Sequence, residues 1–145
     1  MRSGALLRRF WMGSLVASLG SAPNAAADSA SISAKLGCRP ERSPGRVLCE
    51  LSVAPRGGRL EWADALVVSA PEFARPLQSR VGAAQASRAG DGSLKLPLAL
   101  AATRQGSGEL KVAARAVVCD SERRRCLSLQ KLASASVEVG ARQER

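Results

Sequence analysis

The sequence predicts an all-β fold, an antiparallel β-sandwich of about seven strands. Three observations predict it. Apolar residues alternate with a period of two through most of the chain, which is the strand signal. Turn residues recur at short intervals, as in Pro55-Arg56-Gly57-Gly58 and Gly106-Ser107-Gly108. Four cysteines fall into two close pairs, Cys38 with Cys49 and Cys119 with Cys126. No segment carries a convincing amphipathic helical period, although the alanines of residues 83–89 leave a short helix open there.

The elements follow in order. Residues 1–9 carry Arg2, Arg8 and Arg9 and no acid, residues 10–20 are apolar or small, and Pro23 leads into Ala25-Ala26-Ala27. Basic, apolar and small in that order describe a secretory signal peptide, expected over residues 1–27. Its apolar stretch is about half of what a membrane-spanning helix needs, which argues against a retained anchor and against membrane insertion. One β-sandwich domain is expected over residues 28–140 and a frayed tail over 141–145.

Within the domain, Ile32, Ala34 and Leu36 share one face. Val47, Cys49, Leu51 and Val53 share another, with Arg46, Glu50 and Ser52 opposite. Leu60, Trp62, Leu66 and Val68 read as a third strand, with Trp62 in the core. Asp64 falls on that apolar parity, so a bulge or irregular stretch is expected there. Residues 70–76 read as a loop in which Phe73 stands between prolines, either exposed for recognition or packed to pin the loop. Residues 77–81 read as a short strand and 82–92 as a connection. Leu94, Leu96, Leu98 and Leu100 alternate cleanly, and Pro97 on their other face suggests an edge strand. Leu110, Val112, Ala114, Ala116 and Val118 form an inner face. Leu127, Leu129, Ala133, Ala135, Val137 and Val139 form another, interrupted by Lys131. The charged segment Asp120-Ser121-Glu122-Arg123-Arg124-Arg125 joins the two as a hairpin tip. Strands of this number and spacing fit the immunoglobulin-like version of the sandwich.

Four cysteines in an exported chain read as two disulfides with three possible connectivities. Pairing Cys38 with Cys49 sets Leu36 opposite Leu51 and Ala34 opposite Val53, all on the apolar parity. Pairing Cys119 with Cys126 sets Val118 opposite Leu127 and Ala116 opposite Leu129, with both cysteines facing outward. Each local pair is in register with its strands. The rival is an antibody-like Cys49–Cys119 bridge packed on Trp62, for which Cys119 lies on the wrong parity. Cys38 and Cys49 are expected to form a structural staple. Cys119 and Cys126 are either a second staple or a redox pair, because positive charge lowers a thiol pKa and exposure admits a partner thiolate.

Composition narrows the function. The chain has no histidine and no tyrosine, which removes Ser-His-Asp and Cys-His catalysis and histidine-ligated metals. No cofactor or metal is expected. After loss of the leader, 19 basic and 12 acidic residues remain, a net charge of +7. With Trp62 and Phe73 the only aromatics left, stacking platforms for single strands are lacking and nucleic acid is not expected as a partner. Weak attraction to anionic surfaces is. Asp64 beside Trp62 is a possible catalytic acid, and Arg123, Arg124 and Arg125 a possible anion contact; a turn and a solvated tip are the plainer accounts.

The segment Val117-Val118-Cys119-Asp120-Ser121-Glu122-Arg123-Arg124-Arg125-Cys126 resembles the cysteine hairpin in the N-terminal periplasmic domain of bacterial thiol:disulfide interchange proteins. The resemblance covers roughly the last forty residues. It implies an immunoglobulin-like domain, Cys119 and Cys126 as the exchanging pair, and a thioredoxin-like envelope partner. Leu127 and Ser128 stand where that family has an aromatic residue and a proline. The leading expectation is an exported, non-catalytic immunoglobulin-like module, periplasmic or secreted, which acts through contacts with an envelope protein. Thiol–disulfide exchange at Cys119–Cys126 is the alternative.

Overall fold

The computed structural model describes residues 30–141. The expected leader and all but the first residue of the expected tail lie outside the described residues. Nine strands run in chain order: β1 Ser31–Cys38, β2 Gly45–Arg56, β3 Arg59–Ser69, β4 Ala74–Pro76, β5 Arg80–Val81, β6 Ser87–Arg88, β7 Leu94–Ala102, β8 Gly106–Cys119 and β9 Cys126–Val139. Six are long and coincide with six of the expected strands. Of the expected strand over 77–81 only β5 forms. The stretches read as loop and connection hold β4, β6 and one 3-10 turn, Ala83–Gln85.

The strands form two antiparallel sheets. Sheet A has the order β1-β2-β7-β4, with β6 on the same side of β7 as β4, and sheet B has the order β5-β3-β8-β9. This is the immunoglobulin order, A-B-E-D against C′-C-F-G. The D position is shared by β4 and β6, and β5 takes the C′ position. The fold is an all-β immunoglobulin-like sandwich.

Leu51, Val53, Leu96 and Leu100 of sheet A and Leu60, Leu110, Val112 and Val118 of sheet B are fully buried and form the core. The inner faces expected for β2, β7 and β8 are all buried. Leu127 is the exception on β9, at 45% exposure. It follows from the seam between the sheets. Glu41 bridges Val139 in parallel, and Lys131 Nζ donates to the Ile32 carbonyl at 3.4 Å. That offset carries the first residues of β9 past the start of β1.

The chain passes from sheet A to sheet B at Gly57 and Gly58, both at positive φ (78° and 75°). A Cβ on Gly58 would lie 2.7 Å from the Cys119 carbonyl oxygen. Only glycine lets this corner sit against the end of β8. Phe73 is buried at the other end of the sandwich and packs against Gly106, so it pins its loop instead of presenting it.

Pro97 overturns one expectation. β7 is not an edge strand but lies between β2 and the β4/β6 pair. Its residues that face β4 are the odd ones, since Leu77 N–H donates to the Ala99 carbonyl at 2.9 Å. Between β4, which pairs as far as Leu100, and β6, which begins at Lys95, that side of β7 has no partner strand. Pro97 places its missing N–H in this interval, where no ladder bond is lost.

Candidate functional site

Two cross-strand disulfides close the β1–β2 and β8–β9 hairpins. Cys38 bonds Cys49 and Cys119 bonds Cys126, each with a Cα separation of 4.0 Å. The registers Leu36↔Leu51, Ala34↔Val53, Val118↔Leu127 and Ala116↔Leu129 are those read from parity. Arg39 N–H donates to the Leu48 carbonyl, and Asp120 N–H to the Arg125 carbonyl, both at 2.9 Å. The cysteines beside these hydrogen-bonded pairs therefore occupy non-hydrogen-bonded positions, where side chains approach most closely. The Cys49–Cys119 alternative does not form.

Cys119 lies on the outer face as expected, yet it is only 5% exposed, whereas Cys126 is exposed. The arginines before Cys126 are mostly engaged. Arg123, at φ 56°, reaches Glu61 with Nε–Oε1 at 3.3 Å, and Arg124 pairs with Glu122 at 3.1 Å. Asp120 holds the turn. Its carbonyl accepts from Arg123 N–H at 3.0 Å and its Oδ1 from Arg124 N–H at 2.9 Å. Arg125 alone of the three makes no ion pair among the described residues.

The larger feature on this face was not legible in the sequence. The register of β3 on β8 steps from Leu60↔Val118 to Trp62↔Val117, so Glu61 is an extra residue. The bulge stands here and again between Val67 and Ser69, not at Asp64. The first bulge reverses the parity of β3 from Trp62 to Val67. Ala63 and Ala65 turn inward, and Trp62, Asp64 and Leu66 turn outward. Trp62 is therefore not a core residue.

Rows cross the outer face of sheet B from β3 through β8 to β9. They run Arg59–Cys119–Cys126, Trp62–Val117–Ser128, Asp64–Arg115–Gln130 and Leu66–Ala113–Leu132. Asp64 has no solvent exposure although it points outward, because two arginine side chains cover it. Arg115 Nε donates to Asp64 Oδ1 at 2.8 Å and Arg115 Nη2 donates to Oδ2, while Arg80 Nε donates to Oδ2 at 2.8 Å. The Arg115 guanidinium carbon also stands 6.0 Å from the centroid of the Trp62 ring, within cation–π range. Hydrogen bonding from Arg115 holds the Asp64 carboxyl below its ordinary range; burial opposes this and Arg80 reinforces it. Asp64 in turn raises the Arg115 pKa through the same hydrogen bonds.

A carboxylate gripped by two guanidiniums is committed to structure. It has no free lone pair aimed at a substrate, so the catalytic option for Asp64 has no geometric support. What the face offers is a half-buried tryptophan, an arginine fixed against it, and the exposed Leu132 at 63% and Val68 at 57%. Among the described residues no cluster of three or more potential metal ligands occurs, and no helix is long and apolar enough to cross a membrane.

No family model matches the chain, and no curated protein matches its sequence. Solved structures that resemble it in shape include three from bacteria. One is a chain from work on fibronectin binding and biofilm formation by the AAF fimbriae of enteroaggregative Escherichia coli. It is 11% identical, covers 75% of this chain and 99% of that one, and has a TM-score of 0.42. ACE19, the collagen-binding subdomain of the Enterococcus faecalis surface protein ACE, is 8% identical over 74% and 95%, with a TM-score of 0.39. The bacterial hydrophobin BslA is 16% identical over 77% and 97%, with a TM-score of 0.33. The strand order, not these likenesses, defines the fold here.

Proposed function

We propose that this chain is an exported immunoglobulin-like module that acts by protein–protein contact through the outer face of sheet B, with both disulfides as staples. One observation carries the reading: the bulge at Glu61 turns Trp62 out of the core and sets it beside Arg115. Tryptophan and arginine are the residues most enriched at the energetic centres of interfaces. The charges around them are already ion-paired, with Asp64 and Glu61 each shared by two arginines, which lowers the cost of covering the carboxylates and leaves the face with excess positive charge. Closed disulfides favour an oxidising compartment and so support export, to the periplasm or beyond.

The test is a photo-crosslinking residue at Leu132, compared with one at Lys35 on the opposite sheet, in the producing cells. A discrete adduct from position 132 that is lost in Trp62→Ala is the expected result. Equal labelling from both positions, or an adduct indifferent to Trp62, removes the assignment.

Thiol–disulfide exchange is kept as a second reading by the asymmetry of its pair. An incoming thiolate reaches Cys126. It would form a mixed disulfide with the Cys126 sulfur as the Cys119 sulfur leaves as thiolate. A second thiolate of the partner would then attack the partner's own sulfur in the mixed bond, Cys126 leaving as thiolate, so that the partner gains the disulfide and Cys119 and Cys126 end reduced. A reduction potential below about −300 mV for Cys119–Cys126 is expected for the staple. A higher potential, with a mixed disulfide trapped on Cys126 in Cys119→Ser, would establish exchange instead.

A further inference from the structure

We propose that the outer face of sheet A docks on an anionic lipid surface. The two outer faces differ in how they use charge. On sheet B, Arg59, Arg80, Lys111 and Arg115 all pair with carboxylates. On sheet A only Lys95 does, with Glu50 at 3.3 Å. Lys35, Arg39, Arg46, Arg56 and Arg75 have no carboxylate within ion-pair distance among the described residues. Among the described strand residues of sheet A, Glu50 is the only acid.

The registers place these cations. Arg46, Ala101 and Arg75 form one row across β2, β7 and β4, and Lys35, Ser52 and Lys95 form another across β1, β2 and β7. Within each row the two basic residues stand about 10 Å apart, two strand spacings. Between the rows lies a largely apolar belt, broken by Glu50 beside Pro97, whose carboxylate is held by Lys95. Leu48 is 42% exposed and Leu77 50%, and Pro97 and Ala99 lie between them in two shallow depressions edged by Arg46 and Arg39. The Cys38–Cys49 bond fixes the hairpin beneath this belt.

Cations with no internal partner, flanking exposed leucines, complement a plane of phosphates over acyl chains. Each basic residue near such a surface strengthens binding by about fivefold, and an apolar contact supplies the second signal that stable attachment needs. The face carries no aromatic ring on which sugars or bases would stack, which favours lipid over an acidic glycan or nucleic acid.

The experiment is co-sedimentation of the purified, oxidised protein with vesicles of phosphatidylglycerol and phosphatidylcholine at about 0.1 M salt, a Debye length of about 10 Å. Binding is expected to these vesicles and not to phosphatidylcholine alone. Arg46→Ala/Arg75→Ala is expected to lower the partition coefficient about 30-fold. Arg124→Ala/Arg125→Ala at the β8–β9 tip removes the same charge and is expected to change it less than about threefold. Leu48→Ser/Leu77→Ser, with charge unchanged, is expected to weaken binding further in high salt. All six positions are exposed, and a melting curve confirms folding of each variant. Equal losses from the two arginine pairs would reduce the effect to net charge and overturn the proposal. Indifference to the leucine pair, or equally tight binding of soluble polyglutamate, would overturn it as well.

Discussion

An Asp64→Asn protein is expected to unfold about 2 kcal/mol more easily than the wild type at pH 7. Removing one member of a buried ion pair leaves its partners uncompensated, at about 3–5 kcal/mol where burial is complete. Here Arg80 and Arg115 keep 54% and 38% of their side-chain surface in solvent, so they rehydrate and the figure falls below that range. The pH dependence has a definite sign. The folded-state pKa of Asp64 lies below its ordinary value of 3.8. Its contribution is thus fully present above that value and is lost as pH falls through the lower folded value. Urea titrations at pH 7 and pH 3 should show the gap between wild type and variant closing at the acid end. An unchanged gap, or none at pH 7, would mean that the carboxylate is not what holds this cluster. Replacing the pair by apolar groups, Asp64→Leu/Arg115→Met, should recover much of the loss, because the only charge then left at the cluster is Arg80, which is half-exposed and rehydrates.

The second large effect belongs to the disulfides. Closing the 11-residue separation of Cys38–Cys49 and the 7-residue separation of Cys119–Cys126 stabilises by about 3 and about 2.5 kcal/mol through chain entropy in the unfolded state. Together they approach the lower end of the stability of an ordinary domain, about 5–15 kcal/mol. Replacing all four cysteines by alanine should therefore leave a chain that is barely folded at 37 °C, while each pair removed alone leaves a folded one. Denaturant midpoints of the three variants measure this directly. A quadruple variant that melts near the wild type would show that the core alone carries the fold. Under limiting dithiothreitol the exposed Cys126 makes its bond the first to open, and mass spectrometry after alkylation reads the order.

The cysteine pairing was legible because a cross-strand disulfide demands direct opposition, and period-two parity allows few oppositions. The same parity rule misplaced Trp62. Nothing in Leu60-Glu61-Trp62 announces an extra residue, and one inserted residue sends the side chains of β3 from Trp62 to Val67 to the other face, until the second bulge restores the parity. Asp64 on the apolar parity was the available signal, but it marked a bulge three residues upstream of itself. Arg115, flanked by Ala114 and Ala116, sat on the outer parity throughout. Its partnership with Asp64, 51 positions away, is set by the pairing of β3 with β8. Strands of two or three residues such as β4, β5 and β6 carry no period to detect.

Lys131 interrupts an otherwise apolar run and points toward the seam, with its ammonium on the Ile32 carbonyl at 3.4 Å. Strand-by-strand growth into fibres would begin along this margin of β9, where its backbone meets only one partner ladder. Any newcomer that zipped onto it would have to displace that contact and strand a charge against its own peptide groups. The immunoglobulin-like unit thus carries a brake against polymerising through this margin, and Lys131→Val is expected to weaken it.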